Sequence, residues 1–279
     1  MVRWSPDGRT IALGTTSGIF LYDAQSKASK LFIDTQFNVL ALSFNPAGDQ
    51  ITAGSPDGIV NSWNSTTGAF VQSFNYTRPP SETITNNTAV TAILYSVDGH
   101  LAVGYKNGAI NYFSTDRNTA DQYYENYPAV EDLAISPDGR YIYAGNGSRD
   151  VFAWDISAGK QSETLINPTP IKRLRLSNDQ KWLLTGGDAS SVYLWDISEI
   201  TPRHVTSFSN LGGAVTGFDF SHNDQYVAIG LSSGEIRIFA MPAGRDEYSK
   251  THVPLKIIEG YDEQILSIAS APDQLVVAS

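Results

Sequence analysis

The chain contains no cysteine, and that removes several chemistries at once. Without thiols there is no disulfide frame, no thiolate zinc site and no cysteine nucleophile. Histidine is scarce as well: His100, His204, His222 and His252 stand far apart, with no H-x-x-x-H spacing and no aspartate-rich calcium loop. No G-x-S-x-G elbow occurs, so a serine nucleophile lacks its usual setting. Gly212-Gly213 is not a phosphate loop, because no helical pattern follows it. Charged residues make up only 17% of the chain, and acids outnumber bases 29 to 19. The net charge of −10, without any Lys/Arg cluster, argues against nucleic acid. No apolar run approaches the roughly 18 residues of a membrane-spanning helix. The expectation is a chain without metal, cofactor or catalytic residues.

What the chain does have is a unit of about forty residues, repeated along its length. Each copy opens on a tight turn: WSPDG at Trp4–Gly8, FNPAG at Phe44–Gly48, YSVDG at Tyr95–Gly99 and ISPDG at Ile135–Gly139. Weaker copies read LSNDQ at Leu176–Gln180 and FSHND at Phe220–Asp224. A short β run then ends at Gly14, Gly54, Gly104, Gly145, Gly186 or Gly230. An aromatic follows at Tyr22, Trp63, Phe113, Trp154, Trp195 or Phe239, nine residues after the glycine in five copies and eight in the first. Aligned on the turn, Val2, Leu42, Ile93, Leu133, Leu174, Phe218 and Ile268 share one apolar position ahead of it.

The fourth copy shows how a unit folds. Ala129–Ile135 reads as a first strand, with apolar Leu133 and Ile135 alternating with Asp132 and Ala134. Ser136-Pro137-Asp138-Gly139 turns the chain, with proline presetting φ, aspartate bonding its own backbone and glycine taking positive φ. Tyr141–Gly145 is a second strand whose small end admits a close neighbour. Val151–Asp155 is a third strand, and Glu163–Ile166 a shorter, more polar fourth, suited to an outer edge. The fold class is therefore all-β: four-stranded antiparallel blades, six near-complete and half of a seventh. The blades run over about 1–34, 38–75, 89–127, 129–167, 170–209 and 214–260, with a partial one at 264–279, in a single domain spanning 1–279.

The unit resembles the WD repeat, and the chain is identified as a divergent member of the WD-repeat β-propeller family. Trp154-Asp155 and Trp195-Asp196 match the name-giving dipeptide, and Trp63-Asn64 and Tyr22-Asp23 come near it. Gly58, Gly108 and Gly234 stand where that family turns between its second and third strands. The family's Gly-His pair is missing from every unit, so its Asp–His–Ser/Thr–Trp hydrogen-bond tetrad cannot form as such. The seventh unit stops after its second strand at Ser279, so the chain is expected to be a piece of a longer protein. A complete reading frame with the same two ends would overturn that expectation.

Two insertions interrupt the spacing, Asn75–Thr88 and Pro242–Val253, the second carrying Arg245, Asp246, Glu247 and Lys250. Asn64, Asn75, Asn86 and Asn146 head N-x-S/T triplets, which read as turn chemistry. Ser55-Pro56-Asp57-Gly58 before Trp63 is similar to the Asp-box of glycosidase propellers, but its spacing is one residue short. His100 and His222 flank tight turns and read as solvated, while Trp182, beside Lys181, is the tryptophan expected to be most open. Four charges lie in first strands. Asp132 and Arg173 share one register position in adjacent units, and Arg175 and Asp219 another, so each couple is expected to form a structural ion pair that fixes blade register.

The resemblance implies a non-catalytic scaffold that holds a protein or peptide on its second-to-third strand turns. Those turns carry Asp57, Lys106, Asn107, Arg149, Asp150, Asp188, Ser232 and Ser233. The alternatives are a propeller enzyme or small-ligand binder using the central channel, and a sensor domain of a larger signalling protein. The expected partner is neither nucleic acid nor membrane. Oligomeric state and compartment stay open, with the cytoplasm favoured.

Overall fold

A computed structural model describes residues 1–78, 86–114, 120, 122–125, 129–136, 138–187, 189–198, 202–242, 252–259, 263–265, 267–270 and 277–278. Among these residues there are strands and turns but no helix. The first sheet holds β1 (Val2–Trp4), β2 (Thr10–Gly14), β3 (Ile19–Asp23) and β4 (Ser29–Ile33). The second holds β5 (Ala41–Phe44), β6 (Gln50–Gly54), β7 (Val60–Asn64) and β8 (Phe70–Phe74). The third holds β9 (Val90–Tyr95), β10 (Leu101–Tyr105), β11 (Ala109–Phe113) and β12 (Gln122–Glu125). The fourth holds β13 (Asp132–Ile135), β14 (Tyr141–Gly145), β15 (Asp150–Asp155) and β16 (Lys160–Ile166). The fifth holds β17 (Arg173–Leu176), β18 (Trp182–Gly186), β19 (Val192–Asp196) and β20 (Arg203–Phe208). The sixth holds β21 (Val215–Phe220), β22 (Tyr226–Leu231), β23 (Ile236–Ala240) and β24 (Lys256–Ile258). A two-stranded sheet, β25 (Ala269–Ser270) with β26 (Val277–Ala278), ends the chain. In every four-stranded sheet the strands lie in sequence order, as propeller blades do.

The strands group into two compact units, Met1–Gly147 with Phe152–Glu163, and Ser148–Val151 with Thr164–Ser279. In the first unit, one apolar cluster joins the first and second sheets, another the second and third, and another the third and fourth. In the second unit, the largest cluster joins the fifth and sixth sheets, and a smaller one reaches Ile265 and Ile268.

The turn signature works through its polar side chains. The Ser5, Ser136, Ser177 and Ser221 hydroxyls each accept the N–H five residues on, and each donates to the side chain two residues on. Glycine meets the left-handed φ at Gly8, Gly48, Gly99 and Gly139, but Gln180 (φ 65) and Asp224 (φ 53) take it without glycine. Asp224 has a use there, since its carboxylate accepts from the Asn178 and Asp179 backbone N–H groups at 3.0 and 2.8 Å.

Successive blades are joined by a contact that repeats through the chain. The N–H groups of Val39, Val90, Val130, Ile171, Val215 and Ile265 donate to the carbonyls of Thr15, Ser55, Tyr105, Ser148, Ala189 and Leu231. Each donor is β-branched and stands three residues before the shared apolar position of its unit. At Gly14, Gly54, Gly104 and Gly230 the strand-end glycine forms the notch that receives the lead-in side chain, whereas Gly186 faces Phe218. A Cβ on Gly54 would lie 2.3 Å from Val90 Cγ1, one on Gly104 2.5 Å from Val130 Cγ1, and one on Gly230 2.6 Å from Ile265 Cγ2. The seven aligned apolar residues are each at most 2% exposed.

Two strand boundaries differ from expectation. The fourth sheet begins at Asp132 rather than Ala129, because Val130 N–H is committed to Tyr105 of the preceding sheet. Its outer strand begins earlier than expected, at Lys160, and is seven residues long. Gly159 (φ 63) donates to Asp155 O at 2.9 Å and reverses the chain at once, so pairing resumes immediately. His100 is not simply solvated: its ring stacks on Tyr112 at 5.4 Å, whereas His222 is exposed. Trp182 is half-buried against the fifth- and sixth-sheet core.

Gly54→Ala should cost about 1–3 kcal/mol in urea unfolding, and Val90→Ala in the same chain should recover part of that loss by reopening the notch. Gln180→Gly should act oppositely, raising stability by up to about 1 kcal/mol through relief of a left-handed residue. A neutral Gly54→Ala would mean that the notch is not tightly filled.

Candidate partner-binding turns

Antiparallel alternation places the second-to-third strand turns and the segments leading into the first strands at one end of each blade. The cross-blade bonds confirm this, since they run from lead-in residues to those turns. In the first unit the turns are at 15–18, 55–58 and 106–108. Asp57 is exposed, and its carbonyl accepts from Thr88 Oγ1 of the next lead-in at 3.4 Å. Lys106 is half-exposed and paired with Glu131 on the following lead-in. Asn107 does not reach the surface: it is 1% exposed. Its Nδ2 donates to Tyr76 Oη at 2.8 Å, and its Oδ1 accepts from Ala109 N–H at 3.0 Å.

Tyr76 belongs to the first insertion, whose start is fastened to the third sheet. Thr77 exchanges two hydrogen bonds with the Asn111 amide, both at 2.8 Å. Tyr76 also meets the Tyr105 ring edge-on at 4.8 Å. From the second insertion, His252 Nε2 lies 2.8 Å from Thr206 Oγ1, and Arg245, Asp246, Glu247 and Lys250 lie outside the described residues.

In the second unit Arg149 is exposed, and Asp150 is half-buried, its carboxylate accepting from Ser148 Oγ at 3.2 Å. Ser232 and Ser233 are exposed, and Ser232 Oγ accepts Ala214 N–H at 3.1 Å. Asp188 lies outside the described residues. Beside Ser232 is a cleft of about 280 Å³ that Lys172, Arg173, Thr216 and Gln264 also line.

The inner-strand charges first satisfy their own backbone. Asp132, in the first unit, accepts Leu133 N–H at 3.0 Å. In the second unit, Arg173 donates to Lys172 O at 2.8 Å and Arg175 to Leu174 O at 2.6 Å. Asp219 accepts Phe220 N–H at 3.0 Å and, from the last sheet, Ser270 N–H at 2.7 Å. Among the described residues no three His, Asp or Glu side chains gather to hold a metal ion.

A polar relay in the fifth sheet was not foreseen. Trp195 Nε1 donates to Thr185 Oγ1 at 2.9 Å, and Thr185 Oγ1 donates to Asn167 Oδ1 at 2.6 Å. Asn167, 1% exposed, in turn donates to Thr169 O at 2.7 Å. Asn167 thus receives the hydroxyl where no histidine is present. The signal was in the sequence: Thr185 precedes the strand-end glycine, where the other units have Leu13, Ala53, Val103, Ala144 and Ile229. In the fourth sheet Ala144 offers no hydroxyl, and Trp154 Nε1 is buried without a hydrogen-bond partner among the described residues. Nearby, burial lowers the His204 pKa and so favours the neutral form of the ring that meets Trp195, 5.3 Å away. Burial also pushes the Tyr95 phenol up to about 12, which keeps it protonated in its 2.6 Å bond with Thr52.

The family model for the WD domain, G-beta repeat, matches residues 29–64, 122–155 and 159–196. Each match starts on or beside an outer strand and ends one residue past the third-strand aromatic. A Drosophila melanogaster protein described as "Protein LST8 homolog" is 25% identical over 171 residues, covering 59% of this chain and 51% of that protein. The chain thus spans about half the length of this curated relative. A chain in a crystal structure of the mitotic checkpoint complex superposes with a TM-score of 0.83 at 17% identity, covering 99% of this chain and 82% of that one. That likeness concerns the fold.

Thr185→Val keeps the shape but leaves the buried Trp195 N–H and Asn167 carbonyl without their shared partner. It should cost about 1–3 kcal/mol in thermal or urea unfolding, and Thr185→Ser should cost less. Equal losses for the two variants would assign the effect to packing instead.

Proposed function

Because this chain carries WD repeats on a β-propeller, we propose that it is a non-catalytic scaffold whose second-to-third strand turns hold a protein or peptide partner. The observation that carries this reading is the exposed polar chemistry those turns leave unused by the fold. Asp57, Arg149 and Ser233 are open to solvent. Exposed polar residues on rigidly held turns are a common way of presenting a binding surface. Mixed charge at these turns favours a polar contact over an apolar groove. The similarity to a chain found within a multi-protein assembly is consistent with such a role. Asn107 is left out of the proposed contact set, because its amide is committed to Tyr76 and Ala109. Arg175 and Asp219, on neighbouring first strands of the second unit, are proposed as a pair that fixes register rather than as part of this surface.

The test is affinity capture with the tagged chain, compared with the double variant Lys106→Glu, Arg149→Glu. The variant should lose captured proteins while melting within a few degrees of the parent, since exposed and half-exposed charges contribute only about 0–1 kcal/mol each. Undiminished capture would count against these turns as the contact surface.

A further inference from the structure

The contact between the second and third sheets is polar at a place where its counterparts are apolar. Residues directly opposite in an antiparallel pair share a face, and in the second sheet Thr52, Ser62 and Gln72 form such a row. The matching row of the first sheet is Ala12, Leu21 and Leu31, and it packs against the next sheet. That of the fifth is Leu184, Leu194 and Thr206. Packing between blades therefore does not by itself call for two hydroxyls and an amide at this row. Beside it is a cleft of about 70 Å³, wholly within the first unit. Asn45 and Gly99 of the first-to-second strand turns line it, so it lies at the other end of the blades from the partner-binding turns. The volume is more than one water requires and suits the head of one side chain.

The row faces this cleft. Gln72 and Tyr95 both line it, and Tyr95 Oη lies 2.6 Å from Thr52 Oγ1. Three polar groups here are left over by the fold. Ser62 Oγ, between Thr52 and Gln72 in the row, is buried with no hydrogen-bond partner among the described residues. Gln50 and Gln72, both half-buried, line the cleft, and their side-chain amides make no hydrogen bond among the described residues. Among those residues no charged side chain lines the cleft. A carboxamide has two N–H donors and a carbonyl acceptor, so it can answer hydroxyls and amides that each donate and accept. A carboxylate or an ammonium group would be desolvated with no opposite charge on the walls, and an aliphatic side chain would leave the three groups unpaired.

We propose that this cleft binds the carboxamide of a glutamine or asparagine side chain from a partner protein, an inference that goes beyond the scaffold reading because it adds a contact at the opposite end of the blades. The probes are N-acetyl-glutamine N-methylamide and its glutamate and leucine counterparts. Each is titrated into the isotope-labelled full chain and followed by NMR through the side-chain amide signals of Gln50 and Gln72, assigned by their loss in Gln50→Met and Gln72→Met. The glutamine probe should move both signals saturably and bind at least about fivefold more tightly than the other two. Ser62→Ala and Gln72→Met should each weaken it by about fivefold or more, and Gln225→Met, just before β22, should leave it unchanged. Circular dichroism melts would confirm that each variant is folded. Ser62→Ala should melt at or above the parent, because it removes an unpaired buried hydroxyl. No saturable movement, equal affinity for the three probes, a glutamine preference untouched by both Ser62→Ala and Gln72→Met, or a Ser62→Ala chain that melts below the parent would overturn the inference. The two readings can fail separately: partner capture that depends on Lys106 and Arg149, with no glutamine preference at this cleft, would leave the scaffold standing and overturn this inference alone.

Discussion

The structure depends on a small joint between successive blades. A β-branched residue arriving from the next unit gives its N–H to a carbonyl past a strand-end glycine, and at Gly14, Gly54, Gly104 and Gly230 its side chain fills the space that glycine leaves. The hydrogen bond alone contributes only on the order of 1 kcal/mol. The packing fixes its place: Gly54, Gly104 and Gly230 admit the Val90, Val130 and Ile265 side chains to within what a Cβ would forbid. Repetition of the joint sets both the blade spacing and the end of the blade at which the lead-ins arrive.

The distribution of the core follows from this. Within each unit the buried clusters lie between sheets, so each blade is stabilised mainly by its neighbours, as in other repeat arrays. The joint also brings turn and lead-in together at one end of the blade, which is why Lys106 meets Glu131 and Thr88 meets the Asp57 carbonyl. The polar residues left over at that end are those that the scaffold reading uses. The cleft between Arg173 and Ser232 arises from the same arrangement, because a lead-in and a turn from different sheets form its walls.

Most of the scaffold was legible in the sequence, because its marks are local. The tight turns announce themselves by serine, aspartate and glycine, and the third strands by an aromatic at fixed spacing. The aligned apolar position was correct at all seven residues from Val2 to Ile268, each of which is buried. The lead-in residues were legible in principle, since Val39, Val90, Val130, Ile171, Val215 and Ile265 keep one register. They stand outside the regular strands, however, and their bonds join segments far apart in the chain. Asn107 looked like surface because it sits in a turn, and only Tyr76, thirty-one positions earlier, accounts for its burial. Asn167 was likewise hidden, because its side-chain oxygen can accept a hydrogen bond from a hydroxyl where a histidine was looked for.

The joint also has an order in time. Each glycine notch is made by an earlier segment and filled by a later one: the space at Gly14 waits for Val39 and Leu42, and the space at Gly54 for Val90. On a ribosome, which releases the N-terminal blades first, the newest complete sheet always has an open notch and an unclaimed carbonyl. A nascent chain of this kind therefore carries a moving adhesive front that each new lead-in closes and the next sheet reopens. Pauses in translation that fall between a strand-end glycine and its lead-in would prolong that exposure, and pauses just after the lead-in would shorten it.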